Sequence, residues 1–322
     1  DYDLGKPLDI DNLKHPVKKS MELGPRDRLS QAFVAEREKG RTISGPYGHV
    51  VHLDIRHLGE KKIDKKIPFV RELSKNYAGI DPVYEPIPVR PVVHYMMGGI
   101  DTDITGETAL PGFYAAGECA CVSINGANRL GSNSLTELLV FGNRTGKAAA
   151  QFALDSPSLN MASLELQVAE EQERISKNFL RKEGGSERIF TLRQEMNETM
   201  ETSAGIYRSE KSLKDSCNKI KELKDRFSNI IIEDRSFSFN TELISALELE
   251  FMLDVAEAIS YSALERTESR GSHQRTDFPG RDDKNFLKHS LAYHNDVEPR
   301  IDYKDVVITK WPPGERVYGK ES

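Results

Sequence analysis

Apolar and polar positions follow two different rhythms along this 322-residue chain, mixed in its first half and steadily helical after about residue 164. Leu29, Phe33 and Val34 mark a helical face, which predicts a helix from Pro25, suited to a first helical position, to about Glu38. Val51, Leu53 and Ile55 alternate with polar neighbours and predict a half-buried strand over 50–56. Residues 67–77 read as a helix opening near Pro68, and 86–95 as an extended, proline-broken linker or edge strand. The small-residue run from Gly112 to Glu118 reads as a strand ending on a carboxylate. Ser132, Asn133 and Ser134 then stand as capping residues opening an apolar helix that runs from about Ser132 to Ala150. Gly142, Gly146 and Ala148 are spaced to let that helix lie close to a sheet or a ligand.

In the second half Leu213, Cys217, Ile220, Leu223 and Phe227 share one helical face, as do Leu243, Leu247, Phe251 and Val255. Gly184-Gly185 and Ala204-Gly205 are natural breaks, so three or four helices form a bundle. Beyond about residue 268 the pattern dissolves into a polar, basic, proline-containing tail. At the other end, residues 1–14 are polar, and 15–25 form an extended, turn-rich approach. The fold class is therefore α/β followed by α.

Composition changes this picture little. A hydrophobic content of 38% with 30% charged residues suits a globular chain, and a net charge of -6 gives no reason to expect nucleic-acid binding. No apolar run approaches the roughly 18 residues needed to cross a bilayer. No basic-then-apolar leader opens the chain, so any membrane link is expected to run through a partner. Three cysteines, Cys119, Cys121 and Cys217, argue for a reducing compartment and buried structural thiols. Cys119 and Cys121 lack the second pair that a zinc site needs, and no metal site is expected.

The candidate chemistry is concentrated between His94 and Ala150. A short extended run ends in His94-Tyr95 and meets Gly98-Gly99, where backbone or ligand can approach closely. Arg129 sits in a glycine-punctuated loop, Gly126 to Gly131, and its guanidinium offers a rigid donor fork matched to a carboxylate. The same residue types also allow a core ion pair for Arg129 and a satisfied structural role for His94. Glu118 and a helix N-terminus at Ser134 complete the kit for seating a cofactor, with an ordinary N-cap serine as the alternative. Arg26 falls in the first turn of its helix, where it could also simply pair with Asp27 or Glu22.

The stretches HYMMGGI, LPGFYAAGECA and GANRLGSNSLTELLVFG resemble the flavoprotein subunit of succinate dehydrogenase and fumarate reductase. HPVKKSMELGPRDRLSQAF upstream and ESRGSHQRTDFPGRDD near residue 270 extend the resemblance over essentially the whole chain. It matches only the family's later half, so the chain reads as the carboxy-terminal portion, a fragment or one part of a split subunit. The resemblance implies the end of a capping domain over 1–85 and the returning part of an FAD-binding domain over 86–160. A helical bundle over 161–268 and an extended basic tail over 269–322 complete it. It also implies FAD as cofactor, with Glu118, Ser134 and Leu135 contacting it, and His94 and Arg129 holding succinate or fumarate. Arg26, in the family's arginine motif, would carry the proton.

In the family the electrons pass to an iron–sulfur subunit, often held by membrane anchor subunits, which implies a cytoplasmic location peripheral to the inner membrane face. Aspartate oxidase shares the arginine loop and is the nearest alternative, and a non-catalytic fragment is the next. Relatives often carry histidine where this chain has Asn125. The 265–283 stretch, with Arg266, Arg270, His273, Arg275 and Arg281, is expected to be a pairing network packing bundle against flavin domain, or else a subunit contact. The family's dinucleotide loop and covalent flavin histidine are not encoded in these residues.

Overall fold

The computed structural model describes residues 26–45, 48–157 and 161–314. The polar start and the turn-rich approach expected over 1–25 lie outside them. The described residues fall into two units, 26–94 and 95–314.

In the first unit α1 (Arg26–Glu38) forms where its apolar spacing places it, with Asp27 in the first turn and Arg37 in the last, both matched to the helix dipole. β1 (Ile43–Gly45), β2 (Gly48–Leu53) and β3 (Ile87–Val89) make one antiparallel sheet in that order, with Val51 opposite Val89. The extended 86–95 segment thus contributes an edge strand. The strand expected over 50–56 is displaced toward Gly48 and ends at Leu53, which is exposed rather than buried. Asp54 ends it by accepting from the Arg56 backbone N–H and guanidinium at 3.1 and 2.6 Å, which turns the chain into a 3-10 segment, Arg56–Leu58. α2 (Glu60–Lys66) and α3 (Pro68–Leu73) follow, with Ile63 fully buried. Arg71 fastens them to the next loop by donating to Glu60, Asp64 and Asp81 at 2.7–3.0 Å.

The second unit opens with β4 (Ile100–Asp101), paired in parallel with β5 (Ala120–Cys121), and α4 (Asn133–Asp155). α5 (Met161–Ile175), α6 (Ile189–Ser203), α7 (Glu210–Phe227) and α8 (Thr241–Glu265) form the bundle. Leu192 and Met196 of α6, Ile220 and Leu223 of α7, and Leu249 and Leu253 of α8 share its core. Phe179 and Leu180, in a wide turn after α5, pack against the same cluster. Burying each such side chain stabilises the fold by about 1.5–3 kcal/mol. The breaks at Gly184-Gly185 and Ala204-Gly205 fall between α5 and α6 and after α6. Among the described residues no helix is long and apolar enough to cross a membrane.

Two readings of this half need correction. The α7 face is buried as its spacing requires, but α8 turns Ala246, Leu249, Leu253 and Ala256 inward and leaves Phe251 and Val255 exposed. α8 carries apolar residues on several sides, so periodicity alone does not choose its inner face. Small residues let it lie close to α7, where Ser260 and Ser216 share a buried hydrogen bond of 2.9 Å. The tail over 269–322 is not simply extended. A short α9 (Asp283–Phe286) leads into an antiparallel hairpin of β6 (Lys288–Tyr293) and β7 (Arg300–Asp305), with His289 opposite Lys304. Arg266 holds its start by donating to the carbonyls of Phe286, at 2.9 Å, and Lys288.

Candidate functional site

The Gly112–Glu118 run is a series of turns rather than a strand. Gly117 has φ +82°, and a Cβ there would lie 2.7 Å from the Leu138 side chain, so the backbone turns tightly beneath α4. The strand comes later, at Ala120–Cys121, and places Glu118 in an exposed turn. There Glu118 Oε1 accepts the Met96 backbone N–H at 3.1 Å, tying the turn to the segment that carries Tyr95. At Gly99 a Cβ would meet the Cys119 carbonyl oxygen at 2.4 Å, so the close approach expected at Gly98-Gly99 is one of backbone to backbone.

α4 begins at Asn133, and Ser132, its N-cap, lies at φ +65° with no side-chain cap. Ser134 is therefore inside the first turn rather than capping it. The Leu135 N–H is already given to the Ser132 carbonyl at 3.1 Å, and the Leu135 side chain is exposed. Gly142 and Gly146 face open space instead of a close neighbour. α4 runs on past Ala150 to Asp155.

The core of the site is a cluster of four residues. Arg129 lies with its guanidinium carbon 4.4 Å from the centre of the Tyr95 ring. The Tyr95 hydroxyl donates to Glu137 Oε2 at 2.9 Å, and the Asn125 amide donates to the same oxygen at 2.8 Å. Glu137 is 2% exposed on the inward face of α4, in line with Phe141 and Thr145. Burial first, then the neighbouring carboxylate, pushes the Tyr95 phenol up to about 12, so it remains a donor. Arg129 donates through Nη1 to the Leu130 carbonyl at 3.1 Å. Its Nε, like Asn125 Oδ1, is buried with no hydrogen-bond partner among the described residues. Sequence reasoning singled out Arg129 but missed Tyr95 and Glu137. The available signal was one acid set in an apolar helix four and eight residues before Phe141 and Thr145.

The arginine loop is gripped from the bundle side. Ala127 O accepts both the backbone N–H and the hydroxyl of Ser272, and Ser123 shares a hydrogen bond of 2.8 Å with His289. The arginines of this stretch serve structure, as expected. Arg275 is 1% exposed, pairs with Asp277 at 2.8 and 2.9 Å and donates to the Ala263 and Leu264 carbonyls at the end of α8. Buried Glu268 joins Arg266 and Arg270. Arg281 pairs with Asp283. Of the cysteines, Cys217 is buried and its thiol is pushed up to about 12 by burial, whereas Cys119 is exposed, against the expectation of buried thiols.

The structure thus brings Arg129, Glu118, Ser134 and Leu135 into the second unit. Arg26 and His94 belong to the first unit, Arg26 exposed in the opening turn of α1 and His94 exposed at the end of the extended segment after β3.

Residues 193–318 match the family model described as the fumarate reductase flavoprotein C-term, and residues 8–135 match that of an FAD binding domain. The fumarate reductase flavoprotein subunit of Mycobacterium tuberculosis H37Rv is 56% identical over 324 residues, covering 99% of this chain and 55% of its own length. The chain belongs to the fumarate reductase and succinate dehydrogenase flavoprotein family. The succinate dehydrogenase flavoprotein subunit of Rickettsia bellii is 36% identical, covering 92% of this chain and 52% of its own. A solved structure of an Escherichia coli quinol fumarate reductase flavoprotein variant superposes with a TM-score of 0.88 at 48% identity. It covers 96% of this chain and 53% of that one. The chain therefore spans about half the length of the relatives it matches.

FAD is the cofactor this family membership implies. The residues present fit it: Asn125 Oδ1 and Arg129 Nε are polar atoms withdrawn from water with no hydrogen-bond partner among the described residues, and a Cβ at Gly126 would meet nothing within 4 Å. Such atoms are costly to leave unsatisfied, which marks this loop as one completed by a ligand.

Proposed function

We propose that this chain forms the arginine-loop and helical portion of a flavoprotein oxidoreductase that interconverts succinate and fumarate. The observation that carries this reading is Arg129, laid on the Tyr95 ring with its Nε buried and unmatched by any described residue. A guanidinium so placed presents its fork to a carboxylate, and a dicarboxylate would need a second donor, which His94 supplies. Glu118, Ser134 and Leu135 would lie against FAD. Bound FAD supplies the hydride exchange with one carbon of the dicarboxylate. Arg26 gives the matching proton to the other carbon in reduction and takes it in oxidation. An arginine is a weak acid, but it is always loaded, and its charge stabilises the carbanion-like carbon that accepts the proton. Holding both carboxylates brings the reacting carbons near attack geometry.

In this reading residues 1–85 are the end of a capping domain, 86–160 the returning part of the FAD domain, and 161–268 the bundle. An iron–sulfur subunit receives the electrons, and membrane anchors are reached only through it, at the inner face of the membrane. The test is the flavin spectrum of the whole flavoprotein containing this chain. Succinate should bleach the oxidised flavin band, and fumarate should restore it. Bleaching by L-aspartate alone would make it an aspartate oxidase, and a protein without flavin would be a non-catalytic one.

A further inference from the structure

Arg129 has little protein support for the direction its fork takes. Among the described residues, its hydrogen bond goes to the carbonyl of the next residue, Leu130, at 3.1 Å. The other support is the Tyr95 ring, 4.4 Å from the guanidinium carbon. A flat ring attracts a cation over its face but leaves it free to slide and rotate unless the ring itself is fixed. Here it is fixed. The Tyr95 hydroxyl is tied at 2.9 Å to Glu137 Oε2, and that oxygen also takes the Asn125 amide at 2.8 Å. Glu137 therefore joins the platform beneath Arg129 to the loop residue four positions before it. Because Glu137 is buried on α4, both tethers are referred to a helix rather than to a loop.

We propose that Tyr95 is the positioning residue of the arginine clamp, its ring setting the plane of the Arg129 guanidinium and its hydroxyl, held by Glu137, setting the ring. This rests on the reading that Arg129 binds a substrate carboxylate. Tyr95 touches neither carboxylate nor flavin in this role, so its loss should act through Arg129 alone. Losing the ring should raise KM for the dicarboxylate roughly tenfold, within what a partly shielded cation–ring contact supplies, with a smaller change in kcat. A phenylalanine keeps the platform but loses the tether to Glu137, so its KM should fall between those of the parent and the leucine variant.

The experiment is a double-mutant cycle on the FAD-loaded flavoprotein, with Tyr95→Leu, Tyr95→Phe, Arg129→Ala and their combinations. Succinate and fumarate KM and kcat are read for each variant. The expected result is that Tyr95→Leu weakens binding in the parent and adds nothing in the Arg129→Ala background. An equal penalty in both backgrounds would overturn the proposal, because Tyr95 would then act elsewhere. If Arg129→Ala by itself leaves KM unchanged, it is the clamp reading that fails, and the two failures are distinct. Should Tyr95→Leu lose flavin, phenylalanines of increasing ring fluorination at position 95 keep the shape and weaken the ring's negative face. Affinity should then fall along the series with Arg129 present and stay flat without it. A flat series with Arg129 present would overturn the proposal.

Discussion

Ser272 gives both its backbone N–H and its hydroxyl to the carbonyl oxygen of Ala127, at 2.9 and 2.7 Å. Ala127 lies two residues before Arg129, so the stretch after α8 sets the height of the arginine loop. The neighbour Gly271 makes this approach possible. At φ +57°, a Cβ on it would lie 2.6 Å from that same carbonyl oxygen.

Gly271→Ala should therefore force the loop and the 270 turn apart. The expected cost is about 1–3 kcal/mol from the left-handed backbone and the broken contact together. A fall in the midpoint of thermal unfolding, with a rise in dicarboxylate KM, is the expected outcome. Ser272→Ala keeps the backbone donor and should cost only about 1 kcal/mol. If Gly271→Ala unfolds at the parent temperature, the two segments are not in contact in solution.

His273 predicts a pH dependence. Its Nε2–H is given to the Arg266 carbonyl at 3.1 Å, which leaves Nδ1 to accept from Arg208 at 2.9 Å. Burial and then the Arg208 charge hold its pKa down to about 4, below the usual 6.5, and the charges of Arg266 and Arg275 act the same way. The unfolded chain thus takes up the proton first. Stability from this group is complete above the usual histidine pKa and is lost as the pH falls toward 4. The slope is at most about 1.4 kcal/mol per pH unit. Unfolding followed between about pH 7 and about pH 5 should show this decline, and His273→Gln should flatten it. Equal slopes in parent and variant would show that His273 is not held neutral.

Much of this was legible in the sequence, for reasons that differ from element to element. α1 and α7 follow from spacing because each has one apolar face, and α3 follows from Pro68 at its first turn. Arg129 stands out through the family resemblance of its glycine-punctuated loop, since the residue types alone leave a core ion pair equally open. α8 defeats the same reasoning, since Phe251 and Val255 are as apolar as the Leu249 and Leu253 that are buried. The Gly112–Glu118 strand fails because the small residues serve tight turns under α4, a tertiary demand that no local pattern records. Tyr95 and Glu137 went unseen because they lie 42 positions apart and their meaning is the hydrogen bond between them.

Arg26→Lys tests the proton route. Lysine keeps the charge but loses the planar fork, so dicarboxylate binding should stay within about tenfold while most turnover disappears. Turnover above about a tenth of the parent value in a folded, flavin-loaded protein would remove Arg26 from that role.

Titrating a dicarboxylate inhibitor into the Arg129→Ala flavoprotein shows whether Arg129 clamps a substrate carboxylate. Flavin absorbance reports the binding. A charged hydrogen-bonded pair whose partner stays buried is worth about 2–5 kcal/mol, so affinity should fall by about thirtyfold or more. An affinity equal to that of the parent protein, with flavin still bound, would show that Arg129 does not hold the carboxylate.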